Sequence, residues 1–312
     1  MKIQLIITSF LLLATMACRQ EDVATLAVPK ADFVTQNTAV VTFTITDEGT
    51  QSVLDQGICW STNPNPTFED WHVEDNMVRK ENYQNGLVAL MPNTTYYVRG
   101  YAKSGSGIGY SPEITIKTLP TMLLEDKRNG RNYSTVKIGK QVWMGENLDY
   151  VPNEGTSVYF NNDSQYAKYG RLYDWKTACK VCPSGWHLPS DLEWQQLEVV
   201  AGIASEKVND IEGRDTPIGI SLKEPGNLNW ANGNKITQMV TNSLGFTIQP
   251  TGAFSPVETY DKNYFKQFAY FWTSDSHFTD KAYARRFRHL ENYVGRVSFD
   301  KQLGLGVRCV KD

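Results

Sequence analysis

The sequence predicts two folded units, an all-β sandwich followed by a unit that mixes strands with helix. Three observations carry this. Residues 24–119 are short period-two runs separated by Pro, Asn, Gly and Ser turns, with no helix signal. Beyond Pro120 and the charged stretch "EDKRNG", strand signals resume around a capped helical segment, "SDLEWQQLEVV". About 295 residues remain once an N-terminal processing segment is set aside, a length that suits two domains.

The chain opens "MKIQLIITSFLLLATMAC": one Lys, an apolar run from Ile3 to Ala17, then small residues. These are the n-region, h-region and cleavage site of a secretory signal, and the run is shorter than the roughly 20 residues a membrane-spanning helix needs. Cleavage before Cys18 leaves a Cys at the mature N-terminus, and "LLLATMAC" resembles the lipobox of bacterial lipoproteins. Thr15 and Met16 depart from its commonest Leu-Ala-Gly-Cys form. The resemblance implies a signal peptide over 1–17, an anchor linker over 18–23 and lipidation of Cys18. Each buried lipid methylene contributes roughly 0.8 kcal/mol, so several chains hold stably. The following "RQED" is similar to the surface-export signal of lipoproteins of the Bacteroides group, which implies the outer face of the outer membrane. A net charge of −3 carries no nucleic-acid footprint.

In the first unit, "NTAVVTFTITDEG" puts Val41, Phe43 and Ile45 on one face and Thr42, Thr44 and Thr46 on the other. "DQGICWSTNPNPT" reads as a strand and a turn, and "LMPNTTYYVRGYAKSGSGIGYSPEITIKT" as strand, turn and strand. Leu90, Pro92, Thr94, Tyr96 and Val98 resemble the L-x-P-x-T-x-Y-x-V signature of fibronectin type III domains. That resemblance implies a β-sandwich over 24–119 in which Tyr96 forms the tyrosine corner. Such modules are usually spacers or scaffolds. Cys59 beside Trp60 reads as a buried thiol packing as a small hydrophobe.

In the second unit, Val136 and Ile138 alternate, a Gly-Lys turn follows, then Val142 and Met144. "GFTIQPTGAF" and "FAYFWTSDS" are strand candidates, "KAYARRFRHLENYVGRVSF" reads as a hairpin around "LEN", and "LGLGVRCVKD" as a last strand. Six motifs in order, "TVKIGKQVWMGENLDY", "YGRLYDW", "CPSGWHLPSDLEW", "LGFTIQPTGAF", "YFWTSDS" and "GVRCVKD", resemble the Fibrobacter succinogenes major paralogous domain family. The resemblance implies, over 120–312, an α+β C-type lectin-like fold whose chain ends meet in one sheet.

"CKVCPSGWHLPSDLEW" carries residue types of active sites at the spacing of a frame. Ser190 followed by Glu193 is a capping box ahead of Trp194, Leu197 and Val200, and Asp191 in the first turn suits the helix dipole. A Ser–His–Asp triad within five residues is sterically odd, since triads converge from separated segments. His187 reads as a packed ring with a local hydrogen bond. The four His (His72, His187, His277 and His289) make no zinc-enzyme pattern. Cys179 and Cys182 form a C-x-x-C that fits neither a redox pair, a haem site nor a complete zinc site; in an exported chain a structural disulfide is the default. The family resemblance implies a Cys182–Cys309 bridge tying the start of the helix to the final strand. Cys179 is then free or competes for Cys309.

Lectin-like folds bind through the long loop region, here residues 205 to 270. Trp230, Tyr260, Tyr264 and Phe265 are candidates to stack on sugar rings, or else they pack an irregular loop. "EPGN" at Glu224 and "WTSD" at Trp272 depart from the calcium motifs of lectins, so no metal and no cofactor are assigned. On the terminal hairpin, Arg285 and His289 share one face and Arg286 and Arg288 the other; with Arg296 they form an anionic-ligand patch or a solvated strand face. The functional expectation is a non-catalytic, lipid-anchored surface protein that binds a glycan or a protein ligand. The alternatives are a structural component of a surface assembly, such as a pilus tip, and an enzyme related to formylglycine-generating enzymes.

Overall fold

The computed structural model describes residues 21–75, 78, 82–159, 164–211, 214, 216–224, 229–231, 242–256 and 265–312. Cys18 and the segment before it lie outside these residues.

The described residues of the first unit form ten strands: β1 (Thr25–Leu26), β2 (Lys30–Val34), β3 (Ala39–Phe43), β4 (Ile45–Asp47), β5 (Asp55–Ser61), β6 (Trp71–Asp75), β7 (Tyr83–Leu87), β8 (Thr95–Ser104), β9 (Gly107–Tyr110) and β10 (Ile114–Lys117). A sheet in the order β2-β3-β7 faces a sheet in the order β10-β8-β5-β6, with β9 also on β8. Val41, Phe43 and Ile45 are buried between them while Thr42, Thr44 and Thr46 are not, as period two requires. Tyr96 is buried, and its hydroxyl accepts the Met91 N–H at 2.9 Å, closing the tyrosine corner of a fibronectin type III-like sandwich. Cys59 is a buried free thiol in β5, and burial pushes its pKa up to about 12.

The second unit runs β11 (Met122–Asp126), β12 (Arg131–Ile138), β13 (Gln141–Met144), β14 (Ser157–Val158), β15 (Leu172–Tyr173), α1 (Trp175–Val181), β16 (Trp186–His187), α2 (Asp191–Val200) and α3 (Gly219–Leu222). It closes with β17 (Phe268–Ser276), β18 (Lys281–Arg288), β19 (Val294–Asp300), β20 (Leu305–Gly306) and β21 (Val310–Lys311). One sheet has the order β11-β12-β13-β21-β16, so the unit's first strands and its last share hydrogen bonds. The other has the order β14-β15-β20-β17-β18-β19.

The hairpin around "LEN" forms as β18 and β19. Two strand expectations are corrected. "GFTIQPTGAF" makes only isolated bridges, at Ile248, Gly252 and Phe254, because Pro250 has no N–H to donate to a ladder. "LGLGVRCVKD" divides into β20, in one sheet, and β21, in the other. Between them Arg308 turns inward, donating to the carbonyls of Phe246 and Thr247 and to Asn147 Oδ1, with its guanidinium over the Phe246 and Phe271 rings.

Both faces of β17–β19 are covered over part of their length. Phe271, Phe287 and Val294 face a core with Trp143, Trp194 and Phe246. Trp272, Ala284 and Val297 face a second core with Tyr173, Leu188 and Cys309. The units also touch: Gln36 Nε2 donates to the Thr135 carbonyl and Thr38 Oγ1 to the Ser243 carbonyl, both at 2.6 Å.

Candidate functional site

The helix start in "CKVCPSGWHLPSDLEW" is as its spacing predicts. Ser190 Oγ accepts the Glu193 N–H at 3.2 Å, and Glu193 Oε2 accepts the Ser190 N–H at 2.7 Å. The capped carboxylate has a second partner. His187 reaches Glu193 Oε1 from Nε2 at 2.8 Å and Asp312 Oδ1 from Nδ1 at 2.6 Å. Burial works against the imidazolium, but the two carboxylates outweigh it and raise the His187 pKa. His187 thus clamps the final strand to the start of α2.

Cys182 is bonded to Cys309. The bridge does not sit at the start of α2, as the sequence reading placed it. Cys182 is the C-cap of α1, a seven-residue helix that starts on Asp174, whose carboxylate accepts the Thr177 N–H. Cys179, on the exposed side of α1, is a free thiol whose pKa desolvation pushes up to about 11. A thiol that holds its proton so firmly lacks the thiolate character a cysteine nucleophile needs.

Beneath α2 lies an ionic network that sequence reading missed. Arg285 is fully buried; its Nε is 2.6 Å from Glu198 Oε1 and its Nη1 2.7 Å from Asp191 Oδ1. Arg214 pairs with Glu198 from the other side, and Arg296 spans the Asp191 carboxylate through Nε and Nη2. Burial disfavours the Asp191 anion, yet Arg296 and Arg285 hold its pKa below the usual carboxylate range. Arg285 and Arg296 are therefore neither an anion patch nor a solvated face. They tie the hairpin to the helix.

On the opposite face of the same strands the register reverses the chemistry. Phe268 lies across from Arg288, Tyr270 from Arg286, and Arg286 from Gly295. Here the second core ends and a cleft of about 320 Å³ opens, lined by Ala253, Phe268, Tyr270, Arg286, Arg288, Phe299, Leu303 and Leu305. The Phe268 and Tyr270 rings lie parallel, 5.5 Å apart, and Phe299 meets Tyr270 edge-on at 5.3 Å. The Arg288 guanidinium lies over Phe268 at 5.4 Å and pairs with Glu291. Lys223, buried below, donates to the carbonyls of Arg288 and Glu291 and so fixes the turn that carries this rim. Tyr270 is buried in the second core, while Phe268, Phe299, Arg286 and Arg288 are part-buried at the cleft.

The family model of the Fibrobacter succinogenes major domain matches residues 136–311. The chain belongs to this family. No curated protein matches the chain. Among solved structures, the chain is similar to the FN1–FN3 domains of chicken CNTN1 at 21% identity, over 32% of this chain and 33% of that one, with a TM-score of 0.26. The sixth fibronectin type III domain of human fibronectin type III domain containing protein 3 aligns at 19% identity over 31% and 87%, with a TM-score of 0.24.

Within this Fibrobacter succinogenes major domain, the two described residues expected to stack on sugars, Trp230 and Phe265, both pack against other side chains. Trp230 is buried in the first core, its indole N–H donating to the Ile248 carbonyl and its ring under Lys223 Nζ at 5.4 Å. Neither face of a ring so enclosed is open to a sugar, and the expectation for Trp230 is corrected. Tyr260 and Tyr264 lie outside the described residues. Phe265 is half-buried and packs edge-on against Tyr166 at 4.6 Å and Tyr169 at 4.9 Å, which is the loop-packing role. Glu224, of "EPGN", accepts from Asn229 and Gln249. The cleft is instead lined by Phe268 and Tyr270 of β17, at the very end of that 205–270 region. The signal for it was present: Phe268 and Tyr270 alternate in phase, as do Arg286 and Arg288.

Proposed function

We propose that the chain is a non-catalytic binding protein of the cell surface, lipid-anchored through Cys18 on the outer membrane. In this reading the fibronectin type III-like sandwich is a spacer, and the second unit is a C-type lectin-like domain that binds a glycan. The observation that carries it is the cleft over β17–β19, where the part-buried Phe268 and Phe299 line the end of the second core. The sheet joining β11–β13 to β21, with Cys182 and Cys309 bonded beside it, supports the lectin-like assignment. The raised Cys179 pKa supports a binding role over a cysteine-based enzyme.

A glycan array probed with the purified protein, with and without calcium, tests the reading. The expected result is binding to a defined set of glycans, lost on Phe268→Ala. Glycan binding indifferent to Phe268→Ala would move the site elsewhere; stable co-purification with membrane proteins and no glycan binding would favour the surface-assembly role. Palmitate labelling of the wild type and of Cys18→Ala tests the anchor, label in both being the result against it.

A further inference from the structure

We propose that the two units form one rigid body, locked by the β2–β3 turn of the sandwich, so that the sandwich holds the second unit at a fixed angle instead of tethering it. The inference goes beyond the proposed function and holds whatever the second unit binds.

Relative motion is the default for domains joined in one chain. Here the connection has little freedom. β10 ends at Lys117 and β11 begins at Met122. Thr118 still belongs to the sandwich: its N–H donates to the Thr94 carbonyl at 3.0 Å and its hydroxyl to the Met91 carbonyl at 2.6 Å. The Leu119 N–H donates to the Thr35 carbonyl at 2.9 Å. Pro120 fixes its own φ and restricts Leu119 before it. Only Thr121 then separates Pro120 from the next sheet.

The β2–β3 turn adds the lock. Thr35, Gln36 and Thr38 are polar residues at the tip of a hairpin, where side chains normally meet water, yet they are 0%, 7% and 2% exposed. The second unit covers them, accepting from Gln36 at the Thr135 carbonyl and from Thr38 at the Ser243 carbonyl. The Thr38 hydroxyl gives its one proton to Ser243, so the Thr35 hydroxyl, 2.7 Å away, donates to Thr38. Thr35 Oγ1 also accepts the Asn37 and Thr38 N–H groups, which shapes the turn before it docks. Phe33, on β2, packs against the first core of the second unit.

The receiving loop is held as firmly. Gly245 lies at φ +67°, and a Cβ there would come within 3.1 Å of Asn37 Oδ1 and 3.3 Å of Thr35 Oγ1, so glycine lets loop and turn approach. Asn242 holds Thr247 across this loop through two side-chain bonds of 2.8 Å, and Arg308 holds the Phe246 and Thr247 carbonyls. Two shaped surfaces joined by a pinned connection meet at high effective concentration, so a few contacts lock them. A ligand of the second unit then meets one arrangement of the molecule, and no freedom between the units is lost on binding.

Nuclear magnetic resonance of the purified full-length protein tests the lock, through amide residual dipolar couplings and rotational correlation times. The expected result is one alignment tensor and one correlation time for both units. Gln36→Glu sets a carboxylate against the Thr135 carbonyl, and Thr38→Val removes the other bond while keeping the shape. The double variant should lose the common tensor, and the sandwich, about a third of the chain, should tumble about twofold faster. Gln36→Ala is the second variant, since among the described residues that side chain bonds only to Thr135; it should separate the two correlation times in the same sense. Dispersion of the amide shifts identifies any variant that misfolds. Separate tensors in the wild type would overturn the lock, with no variant needed. A common tensor kept by whichever variant folds would overturn the turn as its cause.

Discussion

Arg285→Met should be among the most destabilising single substitutions in the second unit. Arg285 is fully buried and joins two carboxylates, Glu198 on α2 at 2.6 Å and Asp191 at its first position at 2.7 Å. Methionine fills much of the same volume without a donor. Both carboxylates then stay buried with one guanidinium each, Arg214 on Glu198 and Arg296 on Asp191. Deleting one partner of a buried ion pair costs about 3–5 kcal/mol, because the remaining charge is left undercompensated. Since each carboxylate keeps a partner, the lower end applies, about 3 kcal/mol. The measurement is urea unfolding of the full chain, using the midpoint and slope of the transition that Arg285→Met shifts. Adding Glu198→Leu to Arg285→Met should recover part of the loss, because it removes one undercompensated charge. A loss below about 1 kcal/mol for Arg285→Met would refute the claim that this network ties hairpin to helix.

Three further outcomes are expected. Replacing Cys182 and Cys309 by Ser opens a loop with a sequence separation of 127 and should cost on the order of 4–5 kcal/mol in the chain-entropy account; non-reduced peptide mapping should recover the Cys182–Cys309 pair with Cys179 alkylated once the chain is denatured, and a Cys179–Cys182 peptide would contradict it. His187, with its pKa raised in the folded chain, contributes stability fully below its unfolded value of about 6.5 and loses it as pH rises through the folded value. The stability difference between wild type and His187→Gln should therefore shrink from pH 6 to pH 9; with the side chain 41% exposed it should stay under about 1 kcal/mol, and a pH-independent difference would count against the clamp. Ser190→Ala removes one half of the capping box and should cost about 1 kcal/mol in the same urea assay, no change being the contrary result.

Local features were legible where their causes are local. The capping box needs only Ser190 and Glu193, three residues apart, so its pattern is complete in the sequence. The alternation of Val41, Phe43 and Ile45 likewise states its own burial. Elements whose support is remote went unread. β6 is a polar edge strand that exists because β5 lies beside it, and β7, "YQNGL", has weak strand character until β3 pairs with it. α1 is short and its cap at Asp174 sits amid strand signals, so nothing periodic marked it.

The terminal hairpin separates what sequence and tertiary structure each decide. Sequence alone determined that Arg285 and Arg286 point to opposite faces, because successive side chains in any strand do so. It did not determine which face is interior, since β17–β19 carry a core on both sides and each core ends at a different place. Only the packing of α2, with Asp191 and Glu198 aimed at one face, made Arg285 a buried strut. Only the end of the second core left Arg286 and Arg288 part-buried, across from Tyr270 and Phe268. Trp230 follows the same rule. Its residue type fits a sugar platform or a core equally well, and the carbonyl of Ile248 and the ammonium of Lys223, distant in sequence, placed it inside.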